Sequence, residues 1–191
     1  MITRRRVYLM LTTCNRENPV WDIVTRVFHW TLVVAFCVAQ LTAEEWDLVH
    51  EYTGYVILSL IGFRIVWGLL GPRNVRFCEF VKPPRVIVKH VANIFTGRHV
   101  AEAGHNPAGG AMVIILLVWL AFTVLTGWLS VNVSGEFAAL LEEIHEFLGE
   151  FSLLLILVHI TGVIVMSFVE RQELARSMID GKKHLGEKSL E

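Results

Sequence analysis

The sequence predicts an all-α membrane protein, a bundle of four transmembrane helices with an amphipathic helix at the cytoplasmic interface. Three observations carry this. Hydrophobic residues make up 54% of the 191 and charged residues only 18%, beyond the balance of a soluble domain. The mean hydropathy of +0.54 is concentrated in four long apolar runs. Each run, about Ile23–Thr42, His50–Leu70, Ala108–Val131 and Ile144–Val169, can span a hydrocarbon core of ~30 Å. Bare backbone polar groups are not tolerated in lipid, so the runs are helices rather than isolated strands. A soluble bundle would carry polar faces, and Met112–Leu125 has none.

The net charge of −1 hides an asymmetry. All 17 Lys and Arg lie on one side of the four-span arrangement, or in spans near that side. The turns Ala43–Val49 and Asn132–Glu143 hold none. The positive-inside rule then places both termini and the middle loop in the cytoplasm. The opposite face is acidic, with Glu44, Glu45, Asp47, Glu51, Glu136, Glu142, Glu143 and Glu146.

In order along the chain, residues 1–19 read as a basic cytoplasmic leader. Its apolar stretch Val7–Leu11 is too short for a signal sequence, and no A-x-A site follows. A single membrane domain is expected over 20–180, then a polar tail over 181–191. In the first span Trp21 suits the interface and Asp22 suits an N-cap. The second span begins with His50 and closes at Gly71-Pro72. The inner loop, Arg73 to Pro107, is too long for a simple connection. Val86, Ile87, Val91, Ile94 and Phe95 recur there at helical spacing, with Arg85 and Lys89 interleaved. That pattern suits a helix lying on anionic membrane lipid. A short, membrane-tethered segment is a poor nucleic-acid patch, so no nucleic-acid partner is expected. Beyond the fourth span, Glu170–Ile179 reads as an amphipathic helix with Leu174, Met178 and Ile179 on one side. The three cysteines form no secreted-type disulfide framework, and no C-x-x-C-H occurs for covalent haem attachment.

Eight histidines remain to be placed. His90, His99, His105 and His184 fall in inner loops or the tail and read as solvated. His29, His50, His145 and His159 fall in spans or at their edges, where an ionisable group is costly and points to function. Topology sorts these four into two levels, His29 with His159 on the cytoplasmic half and His50 with His145 at the outer end. His145 and His159 share one helix, fourteen residues or ~21 Å apart and within roughly 40° of one face. Two neutral imidazoles facing each other are what six-coordinate haem iron needs. A flat ring also needs room. Gly54 and Gly149 each follow a histidine by four residues, and Gly162 follows His159 by three.

The outer pair repeats as H-E-aromatic-x-G, over His50–Gly54 and His145–Gly149. Its glutamates either face solvent or orient nearby groups. Arg26, three residues before His29, and Arg64 sit at the inner edge of the spans. They suit haem propionates or a quinone pocket, or else snorkel to lipid phosphate. A metal-ion transporter without haem is the rival class. It would place carboxylates beside the histidines, and the mid-membrane parts of the spans hold no Asp or Glu.

These residues resemble the bacterial di-haem cytochrome b561 family, in particular its branch shared with the cytochrome b subunits of nickel–iron hydrogenases. The matching stretches are Val20-Trp-Asp-Ile-Val-Thr-Arg-Val-Phe-His-Trp30, His50-Glu-Tyr-Thr-Gly54, Phe63-Arg-Ile-Val-Trp-Gly68 and Gly71-Pro-Arg73. Gly104-His-Asn-Pro-Ala-Gly-Gly110, His145-Glu146, His159 and Arg171-Gln-Glu-Leu-Ala-Arg-Ser-Met178 complete the set. Together they cover nearly everything from Val20 to Lys183. Val24 stands where the family pattern has Pro, and Asp180 where it has Thr. The resemblance implies four helices, two b haems and electron transfer with membrane quinone or a partner redox protein. It implies ligands from helices one, two and four, matched here by His29, His50, His145 and His159. The implied activity is that of an oxidoreductase-type cytochrome. Its partners would be the quinone pool and a periplasmic protein such as a small cytochrome c; the acidic outer face is either a steering surface for such a partner or the ordinary counterpart of positive-inside charge sorting. The alternative is a membrane anchor and electron-relay subunit of a larger dehydrogenase or hydrogenase.

Overall fold

In the computed structural model, residues 21–96 and 107–182 are described. The leader over 1–19, His99, His105, His184 and most of the tail lie outside them. Seven α-helices are described: α1 (Ile23–Thr42), α2 (Asp47–Leu70), α3 (Phe77–Phe80), α4 (Pro84–Phe95), α5 (Pro107–Asn132), α6 (Glu136–Glu170) and α7 (Leu174–Asp180). Helices α1, α2, α5 and α6 are long and apolar enough to cross a membrane, so the chain is a multi-pass membrane protein of four-helix-bundle type. Their outward faces are apolar, with Leu41 84% and Phe168 80% exposed, as lipid-facing positions require.

The bundle runs up and down. Asp22 caps α1 by accepting from the Thr25 backbone N–H at 3.3 Å. Helix α2 starts at Asp47, three residues before His50. At its far end Gly71 is needed for space rather than for backbone freedom. Its φ is −66°, but a Cβ there would lie 2.4 Å from the Trp67 carbonyl oxygen.

The fourth span departs most from expectation. The sequence suggests a turn over Asn132–Glu143, yet α6 already begins at Glu136, after Gly135 turns at φ +83°. Phe137, Leu140, Leu141 and Ile144 recur at helical spacing, and Leu141 is buried, so an apolar stripe continues through the acidic stretch. At ~1.5 Å per residue, the 35 residues of α6 exceed a ~30 Å hydrocarbon core by more than 20 Å.

The C-terminal segment also differs, because it is broken rather than continuous. Arg171 adopts the left-handed conformation (φ 51°) and the Gln172 N–H reaches back to the Ser167 carbonyl at 3.1 Å, closing α6 before α7 begins.

The core is built by α1, α2 and α5: Phe28, Ala35, Ala39, Ile57, Ile61, Leu117 and Leu120. Helix α6 packs mainly on α5. Trp119 of α5 donates to the Leu148 carbonyl of α6 at 3.0 Å, and Gln40 of α1 donates to the neighbouring Gly149 carbonyl at 3.3 Å, bridging α1 and α6.

At the basic end, where α1 starts and α2 stops, α3 wedges between α2 and α5. Two glycines make room for it. A Cβ on Gly68 would strike the Phe77 ring at 2.2 Å, and one on Gly110 the Phe80 carbonyl oxygen at 2.7 Å. Helix α4 packs on α5. Ile87, His90, Asn93 and Ile94 are its less exposed positions, at i, i+3, i+6 and i+7, while Val86 and Val88 point outward. His90 is therefore buried rather than solvated, correcting the expectation from sequence.

Candidate functional site

At the acidic end, α2 and α6 bring His50 and His145 together. Their ring centres are 5.9 Å apart and their planes cross at 79°. Each ring is held from behind by a backbone carbonyl. His50 Nδ1 lies 2.9 Å from the Ala39 oxygen, and His145 Nδ1 lies 2.7 Å from the Thr123 oxygen. A carbonyl only accepts, so each Nδ1 carries the proton and each Nε2 keeps a free lone pair. The two carbonyls share a local device. Ala39 also accepts from Thr42 Oγ1, three residues on, and Thr123 from Thr126 Oγ1, again three residues on.

Gly127 of α5 completes this end, and the sequence reading did not single it out. A Cβ there would stand 2.7 Å from His145 Cε1 and 2.8 Å from Nδ1, so no larger residue leaves the ring in place. The available signal was an isolated glycine inside an apolar span, which costs a helix about 1 kcal/mol relative to Ala and needs a packing reason. The neighbouring glutamates face outward. Glu51 is exposed and accepts from the Tyr55 hydroxyl at 2.8 Å, and Glu146 is exposed.

Nearer the basic end, His29 of α1 and His159 of α6 are half-buried and within electrostatic range of one another. Here the hydrogen bonding behind the rings differs. His29 Nδ1 is buried and has no hydrogen-bond partner among the described residues. The same end of the bundle holds further buried polar atoms in the same condition: Asp22 Oδ1, Thr25 Oγ1, Arg26 Nε, Arg64 Nη1 and Trp67 Nε1. Asp22, Thr25 and His29 follow one another up one face of α1.

The two arginines are placed differently. Arg26 donates through Nη1 to the Ile179 carbonyl, tying α7 to the start of α1. Trp21 and Trp30 reinforce that tie, to Ser177 Oγ at 3.2 Å and to the Met178 carbonyl at 3.1 Å. Arg64 is only 3% exposed. Its Nη2 donates to the Val75 carbonyl at 3.3 Å, and its guanidinium lies 4.9 Å from the Phe77 ring centre.

Gly54, Gly149 and Gly162 all face open space, and an added Cβ would meet nothing within 4 Å. Among the described residues no group of three or more His, Cys, Asp or Glu is gathered as for a metal ion. Paired imidazoles are the ligand-type sets that the fold assembles.

A family model described as prokaryotic cytochrome b561 matches residues 20–181, most of the chain and every element above. The chain belongs to the prokaryotic cytochrome b561 family. It is a membrane b-type cytochrome with a role in electron transfer, and haem b is the cofactor that the family implies. No curated protein and no solved structure was found to match it.

The acidic-end residues fit that cofactor. Two metal–imidazole bonds of about 2 Å each separate the coordinating nitrogens by ~4 Å, with the ring centres somewhat farther. The spacing of 5.9 Å between ring centres is on that scale. The free Nε2 atoms and the carbonyl-held Nδ1 atoms are what a haem ligand and its second shell require.

Proposed function

We propose that this cytochrome b561 binds two b haems, one between His50 and His145 and one between His29 and His159, and carries electrons between the two faces of a bacterial inner membrane. The observation that carries the reading is the carbonyl-braced His50–His145 pair. The proximity of His29 to His159 supports the second site. Bound in this way, a b haem supplies a one-electron ferric–ferrous couple. The chain's own part is to hold and orient it. The four imidazoles provide Nε2, the Ala39 and Thr123 carbonyls fix two of the rings, and Gly54, Gly149 and Gly162 leave room for a flat ring. Arg26 and Arg64 would meet propionates or a quinone head at the basic end, a role that the unpartnered Nη1 of Arg64 supports.

Both termini face the cytoplasm in this reading, with residues 20–180 as one membrane domain between a basic leader and a short tail. Electrons exchange with the quinone pool, with a periplasmic donor such as a basic cytochrome c, or with both. The acidic rim of Glu142, Glu143 and Glu146, exposed beside His145, supports the periplasmic contact.

The test is a reduced-minus-oxidised spectrum and a haem-to-protein ratio on the purified protein. Two b haems per chain are expected, falling to one when His50 or His145 is replaced by Ala, and likewise for His29 or His159. A protein that folds into membranes with no b-type band would overturn the two-haem reading.

A further inference from the structure

The two sites are surrounded so differently that their affinities for an electron must differ. We propose that Arg64 sets the basic-end site at the higher reduction potential, so that electrons run downhill from the His50–His145 site to the His29–His159 site. This rests on the two-haem reading above, and it adds a direction.

Ferric bis-imidazole iron carries one more positive charge than ferrous. Any group that adds positive charge nearby favours the ferrous state, and any group that pushes electron density onto the imidazoles favours the ferric state. At the acidic end, both Nδ1–H groups donate to carbonyl oxygens, at 2.9 and 2.7 Å. Such bonds make each imidazole a stronger electron donor and favour ferric iron. Exposed Glu142, Glu143, Glu146 and Glu150 act in the same sense, weakened by solvent.

At the basic end both influences reverse. His29 Nδ1 has no acceptor among the described residues. A buried fixed charge at this end is Arg64. His29 lies six residues in from the start of α1, and Arg64 six residues in from the end of the antiparallel α2, so their Cα atoms lie ~9 Å below the same surface, with the Arg64 guanidinium reaching from there toward Val75 and Phe77. Phe28 and Phe63, the residues just before them, are in ring contact at 6.5 Å. Arg64 is 3% exposed, so water does little to screen it. A unit charge ~10 Å away in a medium of effective dielectric ~20 shifts a one-electron equilibrium by about tenfold.

Asp22 opposes this charge and interacts with Arg64. It lies seven residues before His29, ~10 Å farther toward the surface, so it offsets Arg64 only in part. With haems bound at both sites, one electron from an outside donor at the acidic end would come to rest at the inner couple, with no bond made or broken.

The experiment is a potentiometric titration of the purified holoprotein followed by its visible spectrum. Variants His50→Ala and His29→Ala isolate the inner and the outer couple in turn. The inner couple is expected at the higher potential. Arg64→Gln is expected to lower it by about 59 mV, a tenfold change for one electron. Asp22→Asn, which keeps an N-cap side chain, raises it. Arg64→Lys, which keeps the charge, restores it. All three leave the outer couple in place. Opposite shifts from Asp22→Asn and Arg64→Gln are an electrostatic signature that a merely structural role would not produce. Two haems with equal or reversed potentials, or an inner couple indifferent to both substitutions, would overturn this inference alone. Absence of haem would overturn the two-haem reading first.

Discussion

The acidic and basic ends of this bundle solve one problem in opposite ways. At the acidic end the groups behind the imidazoles belong to the backbone, as the Ala39 and Thr123 carbonyls. Ring position there is a property of helix packing and is set before any ligand arrives. At the basic end the surrounding groups are side chains, and Asp22, Thr25, Arg26, His29, Arg64 and Trp67 all keep a buried polar atom without a partner. Buried polar groups in stable proteins are almost always bonded. The contrast teaches that one end is braced in advance; on the two-haem proposal, the other would be completed by what it binds.

The largest way to break this comparison is Gly127→Leu. The side chain must occupy the space of the His145 ring, so the outer haem should be lost while the inner one stays, halving the haem-to-protein ratio. Gly127→Ala should weaken outer binding by roughly tenfold or more, the usual scale for a disturbed second shell. Equal loss from both ends would show that α5 does not act on His145 selectively.

Next come two glycine substitutions with opposite expectations. Gly110→Ala meets the Phe80 carbonyl and should cost about 1–3 kcal/mol of stability with little selective effect on haem. Gly54→Ala meets nothing in the protein. It should leave thermal unfolding of the haem-free protein unchanged and lower haem occupancy at the acidic end. Full occupancy would remove Gly54 from the cofactor site.

The smallest expected effect is at the tie between α7 and α1. Trp21→Phe removes the bond to Ser177 and should cost about 1 kcal/mol. It should be read as faster amide exchange in α7, with both haem bands intact.

Much of this architecture was legible from sequence because a bilayer demands about 20 apolar residues per helix, and few other contexts do. Pairing His50 with His145 followed from topology alone, and their rings do lie together. What sequence hid has physical reasons. A carbonyl acceptor has no side-chain signature, so the bonds to Ala39 and Thr123 could not be read. The buried face of α4 was disguised because exposed valines flank Ile87, His90 and Ile94. The early start of α6 was masked by Glu136, Glu142 and Glu143, although Phe137, Leu140, Leu141 and Ile144 keep helical spacing through them. Arg171 in a left-handed conformation could not be anticipated, since that position usually selects glycine.

One uninterrupted helix carries both His145 and His159. A rigid rod cannot reposition one grip without swinging the other. With His145 already held by the Thr123 carbonyl, the tilt of the rod is set before either proposed haem arrives, so neither site need wait for the other. Titrating apoprotein with haem should therefore pass through a singly loaded species, and a direct passage from empty to doubly loaded would show that the ligands, not the helix packing, fix that tilt.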